Sequence, residues 1–246
     1  MLFRSIIFKI LFYGLTALYV VVLSLTLLWP NYRGAYRGIT LWSDVVVFML
    51  KVLVGIKVEI HGVENLPAEG PYIVSPKHES TIDAFLSIKH VPFATALAKK
   101  EIFYFPILGF VLHKLGAIPV NRQKGTAHKK LPSVGELIMK SKRPILVFPE
   151  GTRVPMGQKR ALKPGAFHLQ EECNIPVFTS ATNAAYFWPS DQMLMRQGTI
   201  IWEIHPAMPT GLSKEKFMAE LEKRIINRSD ELKIEAKNIE NRTHDA

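Results

Sequence analysis

The chain reads as an α/β domain, with a largely parallel, mixed sheet covered by helices, behind two apolar N-terminal helices. Three observations predict this. From Gly55 onward, short apolar runs suited to strands alternate with stretches of helical spacing, the pattern of a parallel sheet with crossover helices. From Ile10 to Trp29 there is no charged residue, and about 20 apolar residues suffice to cross a hydrocarbon core roughly 30 Å thick. A length of 246 residues suits one domain with an appendage better than two full domains.

The first apolar run is preceded by Arg4 and Lys9 and ends in "LLWPNYRG", which lacks the small-x-small pattern of a cleaved leader, so it reads as an anchoring helix. The second, Gly38 to Gly55, is broken by Asp44 and Lys51, which with Arg37 just before it are spaced by sevens, a polar stripe on an otherwise apolar helix. Basic residues flank the first run on both sides, Arg33 and Arg37 following it, so charge gives no orientation for a single span. Two arrangements fit. In one, a two-helix hairpin turning at "PNYRGAYR" dips into the cytoplasmic leaflet and returns; in the other, a spanning helix is followed by a core helix. Residues 1–56 are thus expected to form the membrane anchor and 57–246 the globular domain, facing the cytoplasm.

In the second part "IKVEIHG" alternates like a half-buried strand, and further strands are expected at "PYIVS", "FATALA", "GAIPV", "PILVFP", "IPVFTSA" and "GTIIWEI". Helices are expected at "TIDAFLSIKH", "FPILGFVLHKL", "HKKLPSVGELIMKS" and "GAFHLQEE". From Ser213 the tail places Phe217, Leu221 and Ile225 four apart, an amphipathic helix that closes the domain.

A formal net charge of +10 beside 48% hydrophobic residues points to an anionic membrane or anionic substrate. The charge is concentrated. Between Lys77 and Lys163, sixteen Lys and Arg face five Asp and Glu, whereas the tail from Ser213 is balanced at eight against eight. The only cysteine, Cys173, rules out an intramolecular disulfide and fits a reducing compartment; with no histidine near it in sequence it reads as a buried small residue. Nucleic acid is disfavoured as a partner by the apolar N-terminus and the absence of a recognised binding motif.

Ligands of open α/β sheets gather beyond the carboxyl ends of the strands. Four polar clusters follow strand-like runs here: His78, the pair Lys99 and Lys100, Arg122, and "EGTR". A histidine can serve as a base near neutral pH, and a carboxylate bonded to its far nitrogen would fix its tautomer. His78 and Asp83 are suited to this if a turn leads into a helix between them, because on one continuous helix they would lie about 140° apart. Ser80 is too close to His78 in sequence for a serine nucleophile, and the G-x-S-x-G elbow is missing. One His and one Asp also fall short of a metal site. "FPEGTR" supplies a carboxylate, a permissive glycine, a hydroxyl and a guanidinium suited to gripping phosphate. The remaining histidines, among them His61, His90, His113, His128, His168 and His205, read as structural.

Together these segments resemble the 1-acylglycerol-3-phosphate acyltransferases and their glycerolipid acyltransferase relatives. "HESTID" is similar to the family's H-x4-D block, "GAIPVNR" to its second block, "FPEGTR" to its third and "IPVFTSA" loosely to its fourth, over roughly Val58 to Thr182. The resemblance implies a glycerolipid acyltransferase-like fold. It makes His78 the base that deprotonates an acceptor hydroxyl, with Asp83 orienting it. Arg122, Glu150, Gly151, Thr152 and Arg153 would bind the acceptor's glycerol phosphate, with Lys100 a further phosphate contact. The implied reaction moves a fatty acyl group from acyl-CoA or acyl carrier protein to the sn-2 hydroxyl of lysophosphatidic acid in phospholipid biosynthesis, at the inner membrane. It calls for no metal or prosthetic group. Lys77 stands where the family often has Asn, and Asn121 where it often has Asp, which leaves a different lysolipid acceptor open, such as a lyso-ornithine lipid. Outside catalysis, a basic membrane-bound lipid-binding module is the competing reading.

Overall fold

The computed structural model describes residues 1–28, 30–120 and 131–244. Arg122, Asn121 and His128 lie outside the described residues, as does the start of the stretch expected to be helical at "HKKLPSV".

Helix α1 (Leu2–Ser24) continues into a 3-10 turn, and α2 (Arg33–Met49) ends in a π turn to Val54. Helix α1 therefore begins earlier than the uncharged run and takes in Arg4 and Lys9. Arg4 donates from Nε to Leu53 O at 2.7 Å, tying the start of α1 to the end of α2. Where the two helices approach, a Cβ on Gly38 would collide with Leu23 Cδ1, so any other residue there would require the leucine side chain to shift. Tyr19 then stacks on Trp42 with ring centroids 4.7 Å apart.

All seven expected strands form: β1 (Ile56–His61), β2 (Ile73–Pro76), β3 (Thr95–Lys99), β4 (Ile118–Val120), β5 (Ile145–Leu146), β6 (Val177–Thr182) and β7 (Gly198–Ile204), in the order β1-β7-β6-β2-β5-β3-β4. Five neighbours, β6 to β4, run parallel; β6 and β7 are antiparallel, and β7 pairs parallel with β1. The β6–β7 reversal passes through the short helix α7 (Ala184–Phe187), an element the spacing of the sequence does not announce.

Strand residues alternate between two cores, because successive side chains leave a strand on opposite faces. Ile73, Ile145 and Val177 face a cluster with Val134, Ile138, Leu169 and Phe217 from α5 (Leu131–Ser141), α6 (Gly165–Cys173) and α8 (Lys214–Glu222). Val74, Leu146 and Phe178 face the other, with Ile82 and Leu86 of α3 (Ile82–His90). A strand buried on both faces needs apolar residues at consecutive positions, as "YIV" and "ILV" provide. Phe217, Leu221 and Ile225 are fully buried, as their spacing requires, and a π turn then leads into α9 (Arg228–His244). Helix α4 (Leu108–Leu115) packs on the N-terminal pair through Val111 and Leu115.

The N-terminal helices contribute to the second core. Phe8 and Phe12 of α1 set their rings edge-on to Trp188 at 5.1 and 5.2 Å, and Trp42, Val46 and Met49 of α2 join the same cluster. Only 17% of the most apolar stretch of α1 is buried, however, and Tyr13, Leu18, Val21 and Val22 are exposed. The polar stripe of α2 faces outward, with Asp44 paired to Lys89 of α3. One face of each helix thus belongs to the domain, and α1 offers its other faces to the surroundings. Replacing Phe12 by Ala should lower the free energy of unfolding by about 3–5 kcal/mol, and Leu18→Ser should leave it within about 0.5 kcal/mol of wild type, as read by chemical denaturation in detergent.

Candidate active site

Strands β2 and β5 end side by side on the parallel part of the sheet, and this adjacency brings the two motifs together. The chain leaving β2 turns through Lys77 to Thr81 before α3 begins, so His78 and Asp83 sit on either side of a turn. That is the geometry the spacing demanded. The His78 Nδ1 lies 3.6 Å from Asp83 Oδ2, close enough for electrostatic contact but longer than a hydrogen bond. Asp83 is fully buried, and its Oδ2 instead accepts from the backbone N–H groups of Glu79 and Ser80, both at 2.7 Å. The carboxylate therefore holds the turn in shape, while Asp83 Oδ1 and His78 Nδ1 have no other bond.

The His78 ring lies on Phe148, centroids 4.3 Å apart, and its side chain keeps 16% of its surface. With Nδ1 facing Asp83, Nε2 is the nitrogen left to meet a substrate. Ser80 is spoken for: fully buried, it donates from Oγ to Trp188 O at 2.7 Å, in agreement with the sequence argument against a serine nucleophile.

The "EGTR" turn after β5 is bonded to the His78 turn at three points. Glu150 Oε2 accepts from His78 N–H at 2.8 Å, Val154 N–H donates to His78 O at 2.9 Å, and Arg153 Nη1 donates to Thr81 Oγ1 at 2.6 Å. Glu150 is 1% exposed, and its Oε1 is paired with Lys77, itself 5% exposed. Both Glu150 oxygens are therefore engaged inside the protein. Gly151 has φ +72°, the left-handed region, and a Cβ there would come within 2.9 Å of Lys163 Nζ. This glycine reverses the chain so that Thr152 and Arg153 stand exposed above the buried carboxylate.

Lys99 is the last residue of β3, the strand beyond β5, and Lys100 follows it, so both lie at the same rim; Lys100 lies 5.8 Å from the centre of the Tyr104 ring. Among the described residues no group of three His, Cys, Asp or Glu is placed to hold a metal ion. Cys173 is half-buried, and burial, then Glu172, pushes its thiol pKa up, as expected of an unreactive thiol. His90 is held neutral, its pKa lowered to about 4 first by burial and then by Lys89. His205 is bonded to Thr179 and is likewise shifted down by burial, opposed by Glu203. Sequence reasoning passed over Glu79 and Lys233 of α9, which meet in an ion pair at 3.0 Å beneath the His78 turn. The only signal was Glu79 itself, a charge set between two residues of a motif.

The arrangement is a histidine with a buried carboxylate behind one nitrogen and, on the turn bonded to its own, an exposed hydroxyl and guanidinium. It can take a proton from an alcohol beside a bound anion. The acyltransferase family model matches residues 57–183. A 1-acyl-sn-glycerol-3-phosphate acyltransferase of Pseudomonas aeruginosa is 33% identical over 195 residues, 78% of this chain and 76% of that protein. The human 1-acyl-sn-glycerol-3-phosphate acyltransferase alpha is 26% identical over 216 residues, 86% of this chain and 76% of its own. The crystal structure of the 1-acyl-sn-glycerophosphate acyltransferase from Thermotoga maritima shares the fold, with a TM-score of 0.76 over 94% of this chain and 98% of that one at 21% identity. By the family match and by its likeness to the Pseudomonas enzyme, the chain belongs to the acyltransferase family, among the relatives of the 1-acyl-sn-glycerol-3-phosphate acyltransferases.

Proposed function

We propose that the protein transfers a fatty acyl group from an acyl thioester, carried on coenzyme A or acyl carrier protein, to the sn-2 hydroxyl of lysophosphatidic acid, giving phosphatidic acid. The observation that supports this reading most is the bonding of the His78 turn to the "EGTR" turn, which carries Thr152 and Arg153. The names of the relatives supply the acceptor.

In this reading His78 Nε2 accepts the proton of the acceptor hydroxyl as its oxygen attacks the thioester carbonyl carbon. Asp83, at Nδ1, favours the imidazolium that forms. The tetrahedral intermediate collapses with cleavage of the carbon–sulfur bond, and His78 returns the proton to the departing thiolate. Arg153 and Thr152, with Arg122 and Lys100, bind the acceptor phosphate, and Gly151 gives the backbone close access to it. Glu150 serves from beneath by holding His78 and Lys77. A positioned histidine base suffices for this chemistry, so neither metal nor prosthetic group is required.

The same reading assigns residues 1–56 to membrane anchoring and 57–246 to catalysis. The exposed apolar faces of α1 enter the cytoplasmic leaflet and the chain returns through α2, so the site meets a lipid acceptor at the bilayer surface on the cytoplasmic side. Arg33 and Arg37, beyond α1 in sequence, suit anionic headgroups.

Two measurements test the reading. Purified enzyme supplied with labelled acyl-CoA or acyl carrier protein should form phosphatidic acid from lysophosphatidic acid, and His78→Ala should lose about 10²–10⁴-fold in kcat. Transfer only to another lysolipid would move the acceptor, and no transfer by folded wild type to any acceptor would favour a lipid-binding module. Flotation with anionic vesicles should be lost when Leu18 and Val22 are both replaced by Lys; undiminished flotation would remove α1 from the membrane.

A further inference from the structure

Beneath the His78 turn lies a second layer of charge that comes from the far end of the chain. Glu79 follows His78 and is 1% exposed. Its Oε2 accepts from Lys233 Nζ at 3.0 Å and lies 3.6 Å from Lys77 Nζ, while Oε1 has no hydrogen-bond partner. Lys233 is braced by Asp230, one turn earlier on α9, at 2.8 Å. Lys77 pairs in turn with Glu150, the carboxylate that accepts from His78 N–H. The charges therefore alternate along Asp230, Lys233, Glu79, Lys77 and Glu150 and end at the backbone of His78. Lys233 lies well beyond residue 183, where the family match stops.

The balance in this chain depends on Lys233. Burial pushes the Glu79 carboxyl above the usual carboxylate range, against the opposing pull of Lys233 and Lys77, and Asp83 adds to the rise. Burial also works against the charge on Lys233, but Glu79 and Asp230 outweigh it and hold its pKa above the ordinary lysine value. Without Lys233, the buried Glu79 would have Lys77 alone as counter-charge, and Lys77 already serves Glu150. An unpaired charge in such a place is strongly unfavourable, so the surroundings rearrange. The nearest relief is for Lys77 to move from Glu150 toward Glu79, which loosens the carboxylate that fixes His78.

We propose that Lys233 is a positioning residue for the reaction: from the C-terminal helix it neutralises Glu79 so that Lys77 stays on Glu150 and the His78 turn keeps its place. This rests on His78 acting as the base. In this role Lys233 acts through Glu79 and Lys77 and not on the reacting atoms.

The test compares kcat and KM of the full-length enzyme in detergent for wild type, Lys233→Met, Lys233→Arg, the double variant Glu79→Gln/Lys233→Met, and His78→Ala. Displacing a base by about 1 Å can lose on the order of 10²-fold in rate, so Lys233→Met should lose at least about 10-fold in kcat while both KM values stay within about 2-fold. Lys233→Arg should recover most of the rate by restoring the charge. The double variant should recover much of it as well, because no buried carboxylate is then left alone. A wild-type kcat in Lys233→Met beside an inactive His78→Ala overturns the proposal and spares the base. Loss of rate only in proportion to loss of folded protein, seen by circular dichroism, also overturns it, as does a rise in KM at constant kcat. Full activity in His78→Ala would remove the base and the positioning role with it.

Discussion

The site depends on one buried carboxylate. Glu150 sits where the chain leaves β5, 1% exposed, and gives one oxygen to the backbone N–H of His78 and the other to Lys77. A buried carboxylate is costly unless it is paired and hydrogen-bonded, so the fold favours keeping its two partners in place. Both partners belong to the turn after β2. The "EGTR" turn and the histidine turn are thereby one structural unit, though 72 positions separate the bonded residues.

That unit exists because β2 and β5 are neighbours in the parallel part of the sheet, with Ile73 opposite Ile145 and Val74 opposite Leu146. Parallel neighbours present their carboxyl ends on one edge, and the backbone of Lys77 is further fixed to β6 on the other side through Ser180 O. Layers of apolar residues on both faces make this edge rigid. The N-terminal helices contribute to one of those layers through Phe8, Phe12 and Trp42, so the element read as the membrane anchor also supports the sheet that carries the site.

Much of this was legible in the residues. All seven strands follow from short apolar runs between turn residues, and the burial of Phe217, Leu221 and Ile225 follows from their spacing. The requirement that His78 and Asp83 be separated by a turn was a matter of helical geometry alone. Strand order was not legible, because pairing is decided by packing between distant segments; the antiparallel join of β6 to β7 depends on α7, a single turn with no periodic signal. The inward role of Glu150 was hidden for a related reason. In sequence it stands beside the exposed Thr152 and Arg153, and only the positive φ of Gly151 sends the two halves of the motif in opposite directions. The tie between Lys233 and Glu79 spans 154 positions and leaves no trace in local pattern.

The most direct test of this account is the steady-state kinetics of Glu150→Gln with lysophosphatidic acid as acceptor, in protein whose circular dichroism matches wild type. A glutamine can still accept from His78 N–H but no longer holds Lys77, so the account predicts a kcat lower by about 10- to 100-fold with KM for the acceptor nearly unchanged. An unchanged kcat with a raised acceptor KM would contradict it, placing Glu150 against the substrate and not beneath the base.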